Sequence, residues 1–212
     1  MKKCIGILSV LLLGPWFLAA GPKRVACVGD SITYGLRIID RKDDSYPAVL
    51  QKLLGDGYEV RNFGANSATV QEQANRPYLE KKIFQESLSW EPEIVVVMMG
   101  TNDAKKQNWK GAEAYLAAME KLISCYQALS SNPKIYVLTP PKAFSGYMGI
   151  SDAHIEEEAE ALRGQSAWNL IDIRPEFSHW RHGISPDGIH PNAQGAAVIA
   201  MRVAEKLQDD AK

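Results

Sequence analysis

The chain contains 212 residues, of which 46% are hydrophobic and 23% are charged, and its formal net charge at pH 7 is −1. This length and composition are typical of one globular domain that buries a sizeable core. A charge near zero, without any basic run, disfavours nucleic acid and anionic membranes as partners.

The first twenty residues have the pattern of a secretory signal peptide. Lys2 and Lys3 precede an apolar stretch, and small residues follow before the cleavage expected near Ala20. An uncleaved membrane anchor is the alternative, but the apolar interval falls just short of the roughly 20 residues that a span requires. We therefore expect a secreted or periplasmic protein in which residues 21–212 form one domain.

Five apolar, β-branched runs alternate with helix-length amphipathic stretches along this domain. Such alternation predicts an α/β fold with three layers, α/β/α, in which a five-stranded parallel sheet lies between helices. The flavodoxin-like strand order 2-1-3-4-5 is the common one for this class. The expected strands span residues 24–28, 58–63, 93–99, 134–139 and 169–173.

Periodic apolar residues and capping signals predict the helices. Ser45 is the expected N-cap of a helix with Pro47 in its first turn and Gly55 at its end. A final helix is predicted from Asn192 onwards. Between the third and fourth strands, apolar side chains recur every three or four residues, at Tyr115, Leu116, Met119, Leu122, Ile123, Tyr126 and Leu129.

Polar or small residues follow each of the first three predicted strands. Ser31 comes after the first strand, Gly64 after the second and Asn102 after the third. In open α/β sheets, the working groups lie at the carboxyl ends of the strands, near the point where strand order reverses. With the order 2-1-3-4-5, these three residues are neighbours, and we expect them to form one site.

A base for Ser31 is found near the other end of the chain, in SPDGIHPNAQG. Asp187 and His190 are separated by two residues on a turn that enters a helix. At this spacing the aspartate can bind Nδ1 of the histidine, which leaves Nε2 free to take a proton from a serine hydroxyl. An unaided serine hydroxyl is a poor nucleophile, so such a histidine is a chemical requirement.

Four blocks of the chain resemble the SGNH hydrolases, the GDSL esterase and lipase family. The blocks are GDSITYG, the glycine in NFGANS, GTND and DGIHP, and they occur in the family's order. The resemblance extends from Arg24 to the C-terminal helix. Four ordered blocks together are much more specific than any one of them.

The resemblance implies a role for each matching residue. Ser31 corresponds to the nucleophile, His190 to the general base and Asp187 to the residue that orients it. The oxyanion hole would consist of the backbone N–H groups of Ser31 and Gly64 and the side-chain amide of Asn102.

Structural roles are the alternatives for several of these residues and their neighbours. Gly64 could be a turn residue with positive φ. Asn102 could belong to an Asx turn, and for Asp103 we expect that role. Asp30 is expected to make local hydrogen bonds, because Asp187 already serves as the catalytic acid.

The remaining histidines and cysteines are expected to have structural or surface positions. His179 and His182 have a spacing that could bind metal, but without a third ligand nearby we expect a solvated loop and no metal. His154 is expected on a helix surface. Cys27 and Cys125 are expected to be buried free thiols.

We expect an enzyme that hydrolyses carboxylic esters through an acyl-Ser31 intermediate, without a cofactor. Segments such as QNWK after GTND are similar to secreted bacterial sialate and xylan O-acetylesterases, which implies small-molecule or oligosaccharide O-acetyl esters as substrates. A lysophospholipase or acyl thioesterase of the same family is the alternative enzyme. An inactive sugar-binding module is the alternative from another class.

Little sequence is left from which to build a lid over the site. Residues 140–150 separate the fourth strand from the next helix, and a helix is expected almost directly after the third strand. Phe144, Tyr147 and Met148 either line a short acyl pocket or pack this loop onto the sheet.

Overall fold

The computed structural model describes residues 21–210 and residue 212. The signal peptide predicted for residues 1–20 lies outside the described residues, so its cleavage and the domain boundary at residue 21 stay predictions. Within the described part of the chain, no helix is long and apolar enough to cross a membrane.

The five predicted strands are present and form one parallel sheet. They are β1 (Lys23–Gly29), β2 (Tyr58–Gly64), β3 (Ile94–Met98), β4 (Lys134–Leu138) and β5 (Asn169–Ile171). Their order is β2-β1-β3-β4-β5, so the predicted order is confirmed. The strand β5 ends earlier than predicted because the N–H of Ile173 donates to the Thr139 hydroxyl.

Helices connect the strands. Among the described residues they are α1 (Ser31–Tyr34), α2 (Arg41–Asp44), α3 (Tyr46–Leu54), α4 (Lys82–Ser89), α5 (Ala112–Gln127), α6 (Asp152–Arg163), α7 (Arg174–Phe177) and α8 (Ala193–Asp209). Short 3₁₀ helices cover Gly55–Gly57, Tyr78–Glu80, Tyr147–Gly149 and Arg181–Gly183.

The sheet buries both of its faces. Successive side chains of a strand point to opposite faces. Val25 and Cys27 of β1 pack with residues of α3 and α8, whereas Ala26 and Val28 pack with residues of α4, α5 and α6. This arrangement is the predicted three-layer α/β/α fold, and it explains why the strands are almost continuously apolar.

Two local predictions need correction. Ser45 precedes α3, but its hydroxyl makes no capping hydrogen bond. The chain does not enter a helix directly after β3, because residues 99–111 form turns before α5 begins at Ala112. Gly100 and Gly111, with φ of 136° and 94°, bound these turns in conformations that an α-helix cannot contain.

Candidate active site

Ser31 lies at the carboxyl end of β1, where the chain turns sharply into α1. Asp30 caps α1, because its Oδ1 accepts the N–H of Ile32 at 2.8 Å. The turn requires glycine at position 29, since a Cβ there would lie 2.1 Å from Oγ1 of Thr33. Ser31 is held in this turn with 5% of its surface exposed.

Ser31, His190 and Asp187 form a continuous hydrogen-bonded chain. The Ser31 Oγ is 2.9 Å from His190 Nε2, and His190 Nδ1 is 2.7 Å from Asp187 Oδ2. The other oxygen of Asp187 accepts the backbone N–H groups of Ile189 and His190 at 3.0 and 3.1 Å. Residues 159 positions apart in the sequence therefore meet in one site.

The charge state of Asp187 determines which tautomer and orientation of the His190 ring it stabilises. Burial acts to raise the pKa of Asp187, but hydrogen bonds from Ile189 and His190 outweigh it and hold the pKa below its usual range. The carboxylate is therefore charged at neutral pH and accepts a proton-bearing Nδ1. This tautomer directs the lone pair of Nε2 towards the Ser31 hydroxyl.

The loop that carries Asp187 and His190 is anchored by a neighbouring loop. The Ser145 hydroxyl donates to the Asp187 carbonyl at 2.5 Å, and the Phe144 N–H donates to the Gly188 carbonyl at 2.7 Å. Arg37 also donates from Nε to Asp187 Oδ2 at 3.3 Å. None of these contacts was predicted from the sequence, because each joins residues that are far apart in the chain.

Asn102 lies beside Asp30, the residue that precedes Ser31. Its Nδ2 donates to the Ala68 carbonyl at 3.1 Å and, over a longer distance of 3.3 Å, to Asp30 Oδ2. Only 4% of the Asn102 surface is exposed. No backbone N–H of a following residue donates to Asn102 Oδ1 among the described residues, so the alternative of a local Asx turn is wrong for this side chain.

Gly64 packs closely against the backbone of α1, and its N–H already donates a hydrogen bond. The N–H donates to Asn62 Oδ1 at 2.9 Å, while Asn62 Nδ2 donates to the Thr33 carbonyl at 2.8 Å. Gly64 does not have a positive φ. A Cβ at this position would lie 2.2 Å from the Tyr34 nitrogen, so glycine is needed for the close approach of β2 to α1. The predicted oxyanion role of Gly64 stays a prediction, because its N–H would first have to leave Asn62.

Asp103 does not form the expected Asx turn. Its carboxylate is fully buried and accepts the N–H groups of Val70 and Gln71 at 2.9 to 3.1 Å. Burial raises the pKa of Asp103 to about 7, although these two N–H groups oppose the shift. The side chain thus ties the loop after β2 to the turn that carries Asn102.

Glu158 is a further buried acid, and the sequence analysis did not single it out. It is fully buried on α6, and neither carboxylate oxygen has a hydrogen-bond partner among the described residues. A Cβ on Gly100 would lie 2.4 Å from its Oε2, so the acid packs directly beneath the turn that precedes Asn102. Burial raises the pKa of Glu158 well above its usual value, and nearby Asp103 and Asp30 raise it further.

We expect Glu158→Gln to become progressively stabilising, relative to the wild type, as the pH rises. The folded protein holds the Glu158 proton more tightly than the unfolded chain, so wild-type stability falls as pH rises above the usual pKa of 4.5. The maximum slope is about 1.4 kcal/mol per pH unit for one proton. Thermal unfolding from pH 4.5 to 8 measures this, with the exposed neighbour replaced in Glu157→Gln as the control. A difference in Tm between Glu158→Gln and wild type that is constant with pH would contradict the assignment.

The other histidines and the cysteines lie outside this constellation. His154 is half-buried rather than on the surface, because it stacks on Trp109 with ring centroids 4.7 Å apart. His179 and His182 are exposed, and the described residues contain no cluster of three or more potential metal ligands. Cys27 is a buried free thiol with its pKa raised by burial to about 12, whereas Cys125 is only half-buried.

Comparison with known proteins shows which family this chain resembles. The model of the GDSL-like lipase/acylhydrolase family matches residues 27–198. An acetylxylan esterase from Xylanibacter ruminicola is 32% identical over 222 aligned positions, which cover 92% of this chain. The chain spans only 46% of the length of that protein.

Two solved structures have the same fold. A lipase/acylhydrolase from Enterococcus faecalis superposes with a TM-score of 0.73 at 20% identity, covering 89% of this chain and 96% of the other. A carbohydrate acetylesterase from Sinorhizobium meliloti superposes with a TM-score of 0.70 at 21% identity, covering 88% and 99%. At these identities the similarity shows the fold alone.

Proposed function

The chain belongs to the GDSL-like lipase/acylhydrolase family, and we propose that it is a serine esterase that removes O-acetyl groups from carbohydrates. The hydrogen-bonded chain from Ser31 through His190 to Asp187 is the observation that carries this proposal. The name of the acetylxylan esterase relative supports an acetylated carbohydrate as the substrate.

In the proposed reaction, the Ser31 oxygen attacks the ester carbonyl while its proton passes to His190 Nε2. The charged Asp187 stabilises the imidazolium that forms, and His190 then donates the proton to the leaving alcohol. A bond forms between Ser31 and the acyl carbon, and the bond to the alcohol oxygen breaks. Water repeats the sequence on the acyl-serine and releases the acid.

The negative oxygen of the intermediate needs hydrogen-bond donors that are not already satisfied. The N–H of Ser31 is the first in α1 and has no acceptor within that helix. Asn102 can supply a second donor by exchanging its longer bond, the one to Asp30, for a bond to the oxyanion. Such donors act strongly because the site excludes water and their orientation is set in advance.

We propose the N–H of Ser67 as the second backbone donor, in place of that of Gly64. The Ser67 N–H makes no hydrogen bond within the described residues, whereas the Gly64 N–H is bound to Asn62. Ser67 takes φ of 62°, an uncommon left-handed conformation for a serine. The carbonyl of the next residue, Ala68, accepts the Asn102 amide, so Ser67 and Asn102 belong to segments that contact each other.

The loop after β4 offers little enclosure for a long acyl chain. Phe144 packs against the core on the α3 and α8 face of the sheet, so it stabilises the loop. Tyr147 and Met148 are 44% and 58% exposed. An enzyme for long chains gains up to about 0.8 kcal/mol, roughly fourfold in kcat/KM, for each methylene that it buries. Without an enclosing wall, this gain is absent.

We therefore expect kcat/KM for a series of p-nitrophenyl esters to be highest with acetate and to fall by butyrate or hexanoate. The same preparation should release acetate from an acetylated saccharide, measured by chromatography. The Ser31→Ala variant gives the background for both assays. A rise towards octanoate, with hydrolysis of a lysophospholipid or an acyl thioester, would favour the alternative enzymes. No activity above that background would favour a sugar-binding module.

A further inference from the structure

Lys105 is a buried lysine whose ammonium group makes no ion pair with any residue that the structure describes. It follows Asn102 by one turn, and its N–H donates to the Asn102 carbonyl at 3.4 Å. Only 6% of the Lys105 surface is exposed, but Nζ itself is not fully buried. Within residues 21–210 and 212, Nζ makes no hydrogen bond or ion pair. The aliphatic stem is therefore buried, whereas the charged end keeps a small contact with solvent.

A second cation, the exposed Arg76, lies in the loop that packs against the turn carrying Lys105. The loop that carries Arg76 is held against the turn after β3 by a hydrogen bond of 3.3 Å from Asn108 Nδ2 to Asn75 Oδ1. Burial lowers the pKa of Lys105, and the positive charge of Arg76 lowers it too, whereas the negative charges of Asp30 and Asp103 oppose this shift. The guanidinium of Arg76 has no acceptor in the described part of the chain. Neither cation makes an ion pair within the described residues, so their mutual repulsion is offset only by carboxylates beyond ion-pair distance, and a directly bound anion would compensate it further.

The two carboxylates that act on the charge of Lys105 already have hydrogen-bond donors. Asp30 accepts the N–H of Ile32 and the amide of Asn102. Asp103 accepts two backbone N–H groups. Both acids act on the pKa of Lys105, but neither lies within ion-pair distance of it. Lys105 therefore keeps its hydrogen-bonding capacity for another partner.

Both cations belong to chain segments that contact the reacting groups. Lys105 is in the turn that carries Asn102, and Asn102 contacts Asp30, which caps the helix that begins with Ser31. Arg76 is in the loop whose first part, at Ala68, accepts the Asn102 amide. A ligand bound to both cations would thus extend from the same wall as the oxyanion donors.

We propose that Lys105 and Arg76 form a subsite for a carboxylate on the sugar that carries the ester, so that the substrate is an acetylated acidic saccharide. An ammonium and a guanidinium together match a carboxylate, with charge-assisted hydrogen bonds from both. A neutral hydroxyl would leave the two cations without a directly bonded anion. This inference rests on the esterase function proposed above and specifies its substrate class.

A matched pair of substrates tests the subsite. A mono-O-acetylated methyl glucuronoside and the methyl glucoside acetylated at the same position differ only in a carboxylate at C6. We expect the wild type to favour the acid in kcat/KM by about tenfold, the effect of one charge-assisted pair. Lys105→Met should bring this ratio close to one, and Arg76→Gln should lower it in the same direction. Lys110→Met removes an equal charge from an exposed residue nearby and should keep the wild-type ratio.

A binding measurement separates this inference from the esterase proposal. The Ser31→Ala variant should bind the acidic sugar more tightly than the neutral one, by NMR titration, even if the wild type hydrolyses neither. Adding Lys105→Met to Ser31→Ala should remove the difference. Equal binding of the two sugars by Ser31→Ala would overturn the subsite. A ratio that Lys105→Met leaves unchanged, with both rates lowered equally, would also overturn it and make Lys105 a distant counterion of Asp30 and Asp103.

Discussion

Replacing Ser31 by alanine, or His190 by alanine, is expected to lower kcat for a chromogenic acetate ester by about 10⁴ or more. The two losses should be similar, because the serine cannot attack unless the histidine removes its proton. The double variant should be hardly slower than either single one, since residues that act as one unit have non-additive effects. Asp187→Ala should cost less, because it orients the ring without bonding to the substrate.

Two controls make this result specific. Ser124→Ala changes an exposed serine on α5 and should leave kcat unchanged. An organophosphonate should label Ser31 covalently, as mass spectrometry of the digested protein would detect. Label on Ser67 or Ser151, or a Ser31→Ala variant that keeps activity within tenfold of wild type, would reject the proposed nucleophile.

The second large effect is expected for Asn102→Ala, which should lower kcat by roughly 10² to 10³, or about 2.7 to 4 kcal/mol. The amide is expected to bind the oxyanion more strongly than the ground-state carbonyl, so kcat should fall with little change in KM. Steady-state kinetics measures both constants.

Stability provides the control for this variant, because Asn102 also bonds to Ala68 and Asp30 in the resting protein. We expect the Tm of Asn102→Ala to fall only slightly, since each of these is a single hydrogen bond. Asn102→Asp tests the donor itself, because an ionised carboxylate of similar size can only accept. If Asn102→Ala keeps kcat within threefold of wild type, then Asn102 serves the turn alone.

Several features of the protein are determined by residues close together in the sequence. The five strands are predictable because both faces of a parallel sheet are buried, which requires continuous apolar runs. The contact between Asp187 and His190 is also predictable from the local sequence. The two residues are three positions apart, and the bonds from Asp187 to the N–H groups of Ile189 and His190 hold that short turn.

Other features depended on which distant elements cover each residue. The local pattern around Gly64 suggests a turn, but the requirement for glycine there comes from the backbone of α1, about 30 positions earlier in the chain. Asp103 follows Asn102 in a polar turn, and nothing local indicates that its carboxylate binds the loop after β2. Glu158 lies among surface glutamates in the sequence, yet the packing of α6 beneath Gly100 buries it.

Lys105 shows that residues proposed to bind substrate can also be unrecognisable in the sequence alone. In the sequence it is one of two adjacent lysines, and only the fold buries Lys105 while it leaves Lys106 exposed. Residue types and short spacings thus determined the strands and the candidate triad residues. Only the tertiary structure decided which polar groups lose water and which donors remain unsatisfied, because desolvation depends on every element that packs around a group.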